Sequence, residues 1–218
     1  MRRVHQMSGA ILPDPMNLRA LQRYVALMVQ ERGFTDDINE IFILLTEELG
    51  EVATAFKNWR YYPERFDRQI LGYELADLLL YLMDLANAFK QDLAQIWPEH
   101  EQKTDLRFAD RKGASKPQAV FDPEMGLNKL VAHVEKKRKE RNFEDTPESL
   151  MILLTEEIGE IATEIRKHWK GKNRPGSIGH ELVDALTYLF RLAHVFKVDL
   201  ERAVQEKEAI NAKRVWEY

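Results

Sequence analysis

Two short stretches of this chain crowd carboxylates onto spacings that a helix would bring together. Residues 43–51 read Ile-Leu-Leu-Thr-Glu-Glu-Leu-Gly-Glu, and residues 152–160 read Ile-Leu-Leu-Thr-Glu-Glu-Ile-Gly-Glu. The first holds Glu47, Glu48 and Glu51; the second holds Glu156, Glu157 and Glu160. Each is followed by an acidic pair in a strongly apolar run, Glu74 with Asp77 and then Glu181 with Asp184. Acidic residues on helices ordinarily form a solvated face. Here like charges stack on neighbouring turns, which costs a few tenths of a kcal/mol, roughly, per pair unless a cation sits among them. No Lys or Arg lies between Ile41 and Phe56 to relieve the first set. The Glu74/Asp77 run, Ile70-Leu-Gly-Tyr-Glu-Leu-Ala-Asp-Leu-Leu-Leu-Tyr-Leu, is apolar all round, which marks a buried helix. Buried carboxylates must be paired, protonated or bound to metal.

The spacing narrows the cation. Glu48/Glu51 and Glu74/Asp77 are both three apart, so two facing helices can aim four oxygen groups at one point. An all-oxygen site suits Mg²⁺, with Mn²⁺ as a substitute. Zinc fits poorly, since the chain has no Cys and no His at ligand spacing, and the Glu-x-x-His pattern of di-iron bundles is absent. A hard cation held by a few carboxylates keeps waters and meets substrate phosphates.

The elements that must carry these groups are all helical. Leu18, Leu21, Val25 and Met28 repeat at three-four spacing, and Gly33 closes that helix. Asp37 with Glu40 reads as the start of a second helix running to about Trp59. A third is expected over 68–90 and a fourth from Asp92 toward Asp110. Residues 111–124, with Gly113, Pro117 and Pro123, read as a linker. The pattern then restarts. Met16 matches Met125, Leu18 matches Leu127, Val25 matches Val134 and Phe34 matches Phe143. Thr146 caps the new second helix, with Pro147 at its first position. After a shorter connection, Glu74-Leu-x-Asp-x-Leu-x-Tyr-Leu recurs from Glu181. No alternating strand pattern competes. The expected architecture is all-α, a tandem duplication of a four-helix unit, with 1–16 as leader, 17–110 and 125–218 as units and 111–124 between them.

Glu-Glu-x-x-Glu followed by Glu-x-x-Asp on adjacent helices, found twice, resembles the MazG-like nucleotide pyrophosphohydrolases, a superfamily that includes dimeric dUTPases and phosphoribosyl-ATP pyrophosphohydrolases. The resemblance implies Mg²⁺ held by Glu48, Glu51, Glu74 and Asp77, and again by Glu157, Glu160, Glu181 and Asp184. It implies that Glu47 and Glu156 hold a further metal or orient and deprotonate the attacking water. The reaction would cleave a nucleoside triphosphate to monophosphate and pyrophosphate, removing aberrant or excess nucleotides. The family's C-terminal Lys-x-x-x-Asn-x-x-Arg stands here as Lys207, Asn211 and Arg214, a ridge for phosphate contact. The first half offers His100, Thr104 and Arg107 in those places, with only the arginine retained, so the two halves are not expected to be equally active; the sequence leaves open whether each site is completed by its own half or by the other. Relatives with a single unit pair two subunits into a bundle; here the halves are expected to pair within one chain about a pseudo-two-fold axis, and a homodimer of whole chains is compatible with that. Rival readings are a dUTPase-like or phosphoribosyl-ATP-specific enzyme, and a module that binds metal and nucleotide without hydrolysis.

Other side chains carry weaker signals. Trp59 and Trp169 end the metal-bearing helices beside basic residues and offer faces for a base, though a core role is the commoner one. Tyr81 and Tyr188 follow the second acidic residues and read as packing. Asp84 extends the acidic stripe where the second half has Arg191. Residues 136–139, Lys-Lys-Arg-Lys, are flanked by Glu135 and Glu140 and read as a solvated face. At net charge −4, no attraction to nucleic acid or anionic membrane is expected. The 44% hydrophobic and 31% charged content fits a globular chain. The lack of Cys, of a signal peptide and of a membrane-spanning run makes the cytoplasm the expected compartment.

Overall fold

The computed structural model describes residues 10–172, 174 and 176–214. Residues 1–9 of the expected leader and 215–218 of the second unit lie outside the described residues. Eight α-helices and one short 3-10 turn at Pro63–Arg65 make up the described fold, with no strand. They are α1 (Leu18–Arg32), α2 (Ile38–Tyr61), α3 (Arg68–Ala88), α4 (Leu93–Arg107), α5 (Leu127–Glu140), α6 (Pro147–Trp169), α7 (Ser177–Val195) and α8 (Leu200–Asn211). Among the described residues no helix is long and apolar enough to cross a membrane.

Local chemistry sets most boundaries. Asp37, Asp67, Asp92 and Asp199 each accept a first-turn amide with their side chain, so α2, α3, α4 and α8 begin where an acid precedes the apolar period. Thr146 and Ser149 cap α6 reciprocally. Gly33, at φ 66°, closes α1 in a left-handed turn that a side chain would strain.

The helices pack as one core. α3 and α7 are the buried pair: Leu75, Leu78, Leu79 and Leu82 on one, and Leu182, Leu186, Leu189 and Phe190 on the other, are fully buried. α2 lies on α3 and α6 lies on α7, while α2 and α6 touch each other, as do α3 and α7. α1 packs on α3 and α5 on α7. The last helix of each half crosses over, so α8 packs on α3 and α4 packs on α7. Each of these pairings recurs when both helices are replaced by those four places on.

Buried polar contacts hold the crossing. Glu208 of α8 accepts from Tyr24 of α1 and, at 2.7 Å, from Arg32 Nη2. On the other side His133 of α5 meets Glu101 of α4 at 2.6 Å, and Asp105 takes Lys137 at 2.5 Å and Arg141 at 2.8 Å. The 136–139 run is therefore not a solvated face throughout, because Lys137 is buried within this network and Arg138 is drawn to Glu135. Nor is 111–124 a loose tether. Ala119 and Phe121 are buried, Glu140 Oε1 accepts the amides of Gln118 and Ala119, and Phe121 stacks on Trp97. Met16, at the end of the expected leader, is buried, and its carbonyl accepts the Leu127 amide at 3.0 Å.

Phe190 touches Trp97 across the α4–α7 contact and has no exposed surface. Phe190→Ala is expected to cost about 3–5 kcal/mol of stability, read from urea unfolding curves.

Candidate active site

The first carboxylate cluster sits where α2 meets α3. Glu48 comes from the middle of α2, and Glu74 and Asp77 from the apolar centre of α3. Their oxygens come within 4.8 Å of one another. The second lies between α6 and α7, where Glu157, Glu160 and Glu181 converge within the same distance. Neither cluster contains all four expected ligands. Glu51 is exposed at the edge of the first, and Asp184, beside the second, meets His100 Nε2 at 2.8 Å. His100 is a site histidine that ligand spacing could not reveal, because it arrives from the other half of the chain.

Crowding changes how these acids hold protons. Burial pushes Glu48 up to about 7, with the charges of Asp77 and Glu74 adding to it. Burial and then Asp184 and Glu160 push Glu157 up to about 8. Burial and then Glu160 and Asp184 raise Glu181 to about 7. Glu74 and Asp77 are also raised, first by burial, although Lys207 works against the rise. Anionic oxygens held together against their own repulsion form a donor set suited to a hard divalent cation.

The crossing helices supply the opposing charges. Lys207 of α8 reaches Asp77 Oδ2 at 2.7 Å and Glu74 Oε2 at 3.6 Å. Asn211 Nδ2 donates to Asp77 Oδ1 at 3.5 Å, while its buried Oδ1 has no hydrogen-bond partner. Arg214 stands at the mouth of the same cavity. The Lys207, Asn211 and Arg214 ridge therefore serves the first-half carboxylates. Which half completes each site, left open by the sequence, is thereby answered for Lys207 in this structure. The second-half carboxylates face His100, Thr104 and Arg107 of α4.

Each cluster opens into a cavity. The first holds about 230 Å³ and is lined by Glu47, Glu48 and Asp77 at one end and by Val25, Met28, Val29, Phe34, Leu80, Tyr81 and Asp84 beyond. The second holds about 480 Å³ and carries Glu156, Glu157, Glu160, Asp184, Tyr188 and a wall of cations that includes Arg107, Arg111 and Arg191. Glu47 and Glu156 are exposed at the rims. Tyr81 and Tyr188 are not simple packing residues, since both line cavities; burial, with Glu157 and Asp184 beside it, pushes the Tyr188 phenol up to about 12. Trp59 and Trp169 lie away from both clusters. Trp59 packs edge-on to Phe196, and the exposed Trp169 donates to Asn39 Oδ1 at 3.0 Å.

Residues 145–213 match the MazG nucleotide pyrophosphohydrolase domain. The match spans α6, α7 and α8, and so takes in both the second carboxylate set and the Lys207–Asn211 ridge. Human (Homo sapiens) dCTP pyrophosphatase 1 is 34% identical to the chain over 106 residues. That alignment covers 43% of this chain and 61% of the relative, so the chain spans about three fifths of that relative's length. No solved structure matches the chain.

The raised carboxylates set a pH dependence. Glu48, Glu157 and Glu181 keep protons in the folded chain that the unfolded chain gives up near its ordinary value of 4.5. Stability of the metal-free protein should therefore fall as pH rises from about 4.5 to about 8, and level off above that. Melting curves in EDTA across this window test it. Glu157→Gln should raise the melting temperature near pH 8 by a few degrees, roughly 2–4 °C for each kcal/mol recovered.

Proposed function

We propose that the chain is a Mg²⁺-dependent nucleoside triphosphate pyrophosphohydrolase with two MazG-like units, 17–110 and 125–218, joined by 111–124. The supporting observation is the convergence of mutually repelling carboxylates in two cavities, each faced by cationic or polar side chains from the opposite half. The MazG match and the dCTP pyrophosphatase relative support the same class.

Glu48, Glu74 and Asp77, with Glu51 beside them, would hold the cation in the first cavity. Glu157, Glu160 and Glu181, with Asp184 beside them, would do so in the second; Mn²⁺ suits the same oxygens. Bound Mg²⁺ would neutralise phosphate oxygens and acidify the attacking water. Glu47 and Glu156 are placed at the rims to orient that water and take its proton. Water oxygen attacks the α-phosphorus, the bond to the bridging oxygen breaks, and pyrophosphate leaves. Lys207, Asn211 and Arg214 bind the phosphates in the first cavity, and Thr104 and Arg107 in the second. Lys207 pairs with Asp77; were a cation held among these carboxylates, its ammonium would be available to phosphate. The name of the relative makes dCTP the first substrate to try.

Incubation with Mg²⁺ and a panel of deoxy- and ribonucleoside triphosphates should release monophosphate and pyrophosphate, and EDTA should stop the release. Metal bound without turnover of any nucleotide would instead indicate a binding module. The crossed arrangement has its own signature. Lys207→Ala should reduce turnover by about 10²-fold in the cavity that Glu48→Gln disables, so the two changes together should cost little more than either alone. Lys207→Ala with Glu157→Gln should remove activity from both cavities. The opposite pattern in steady-state rates would place Lys207 with the second-half carboxylates.

A further inference from the structure

The two cavities share a plan and differ at their far ends. Tyr81 in the first corresponds to Tyr188 in the second, Leu80 to Thr187, Met28 to Lys137 and Val29 to Arg138. The largest change is Asp84, whose place is taken by Arg191. Arg191 is buried and bound to Asp145. The counterpart of Asp145 in the first half is Asp36, whose charge bears on Asp84. Where the second cavity has an ion pair, the first therefore has two carboxylates. Asp84 has no hydrogen-bond or ion-pair partner among the described residues, and burial followed by Asp36 pushes it up to about 6.

Position gives this acid a meaning. Asp77, Tyr81 and Asp84 lie on one face of α3, and Asp84 is two helical turns, about 10 Å, beyond the metal-site Asp77. Val25, Met28, Val29 and Leu80 line the same cavity, together with the Arg32–Glu208 pair. Along α3 the cavity thus passes from the carboxylates, past Leu80 and Tyr81, to the half-buried acceptor Asp84. A nucleotide matches that order: phosphates at the carboxylate cluster, the flat base past Leu80 and Tyr81, and the base edge at the far end. An ionised carboxylate only accepts hydrogen bonds. Cytosine and adenine carry an exocyclic amino group that donates at the edge where uracil, thymine and guanine turn a carbonyl; guanine's amino group lies at another ring position.

We propose that Asp84 reads the base in the first cavity, accepting a hydrogen bond from an exocyclic amino group at that edge, so that this cavity selects cytosine and adenine nucleotides while the Arg191 cavity does not. This rests on the nucleotide reading of the cavities given above. Asp84 would be a specificity-determining residue, with Asp36 keeping the far end electron-rich and hence selective for donors.

The test uses the full chain carrying Glu181→Gln, which disables the second cavity, and compares dCTP, dATP, dGTP, dTTP and dUTP with Mg²⁺. The parent should favour dCTP and dATP over dTTP, dUTP and dGTP by at least about tenfold in kcat/KM, since a site built around a donor group at one base edge discriminates against bases lacking it there. Asp84→Asn, which offers both a donor and an acceptor, should erase that preference while keeping turnover of dUTP. Asp84→Arg, which reproduces the second-cavity ion pair with Asp36, should erase it too. An equal loss on all five nucleotides, or a change only in ribose against deoxyribose preference, overturns the proposal. If no nucleotide is hydrolysed, calorimetric titration of the same five with Mg²⁺ separates the two readings. Preferential dCTP and dATP binding that Asp84→Asn abolishes upholds Asp84 while hydrolysis fails, and base-blind or absent binding overturns both.

Discussion

Three acids, the buried Glu208 on one side and the half-buried Glu101 with Asp105 on the other, hold the last helix of each half against the first helix of the opposite half. The rest of the arrangement depends on them. Glu208 is almost fully buried and satisfied by Tyr24 and Arg32 together. Removing one partner of such a pair leaves a buried charge uncompensated, a penalty of about 3–5 kcal/mol. These contacts therefore fix register as well as proximity. They set which face of α8 meets α3 and which face of α4 meets α7, and so decide which side chains look into each cavity.

The carboxylate clusters exploit that rigidity. Like charges gathered on α2/α3 and α6/α7 would relax apart on a loose scaffold. Here α3 and α7 are buried nearly all round, so the acids on them cannot swing into solvent. The resulting repulsion appears as raised proton affinity at Glu48, Glu157 and Glu181. In the first cavity part of it is quenched by Lys207; in the second, among the described residues, no lysine pairs with the cluster, and His100 meets Asp184. The two cavities thus begin from one plan and present different surroundings to a substrate.

Much of this was legible in the sequence because helices announce themselves by period and cap. Asp37, Asp92 and Thr146 marked helix starts that the structure places where expected, and the repeated Glu-Glu-x-x-Glu and Glu-x-x-Asp located both clusters. The illegible part was long-range. Sequence spacing says which residues share a helix face and nothing about which half supplies the facing helix. Hence the sequence left open which carboxylates Lys207 and its counterpart His100 would meet, and Lys137 was read as solvated although two acids from α4 enclose it. Trp59 was ambiguous for a related reason: a tryptophan at a helix end looks the same whether it meets a ligand or Phe196.

The crossed helices also bear on how such a chain can change over time. In two units laid side by side, one copy is free to decay while the other keeps working. Here α8 belongs to the second half and serves the first-half carboxylates, while α4 does the reverse. Each half therefore supplies side chains to both cavities, and a chain severed within 111–124 would yield fragments that each lack part of every cavity. Two cavities completed in this way can differ in their surroundings, yet neither stands as a self-contained spare for the other.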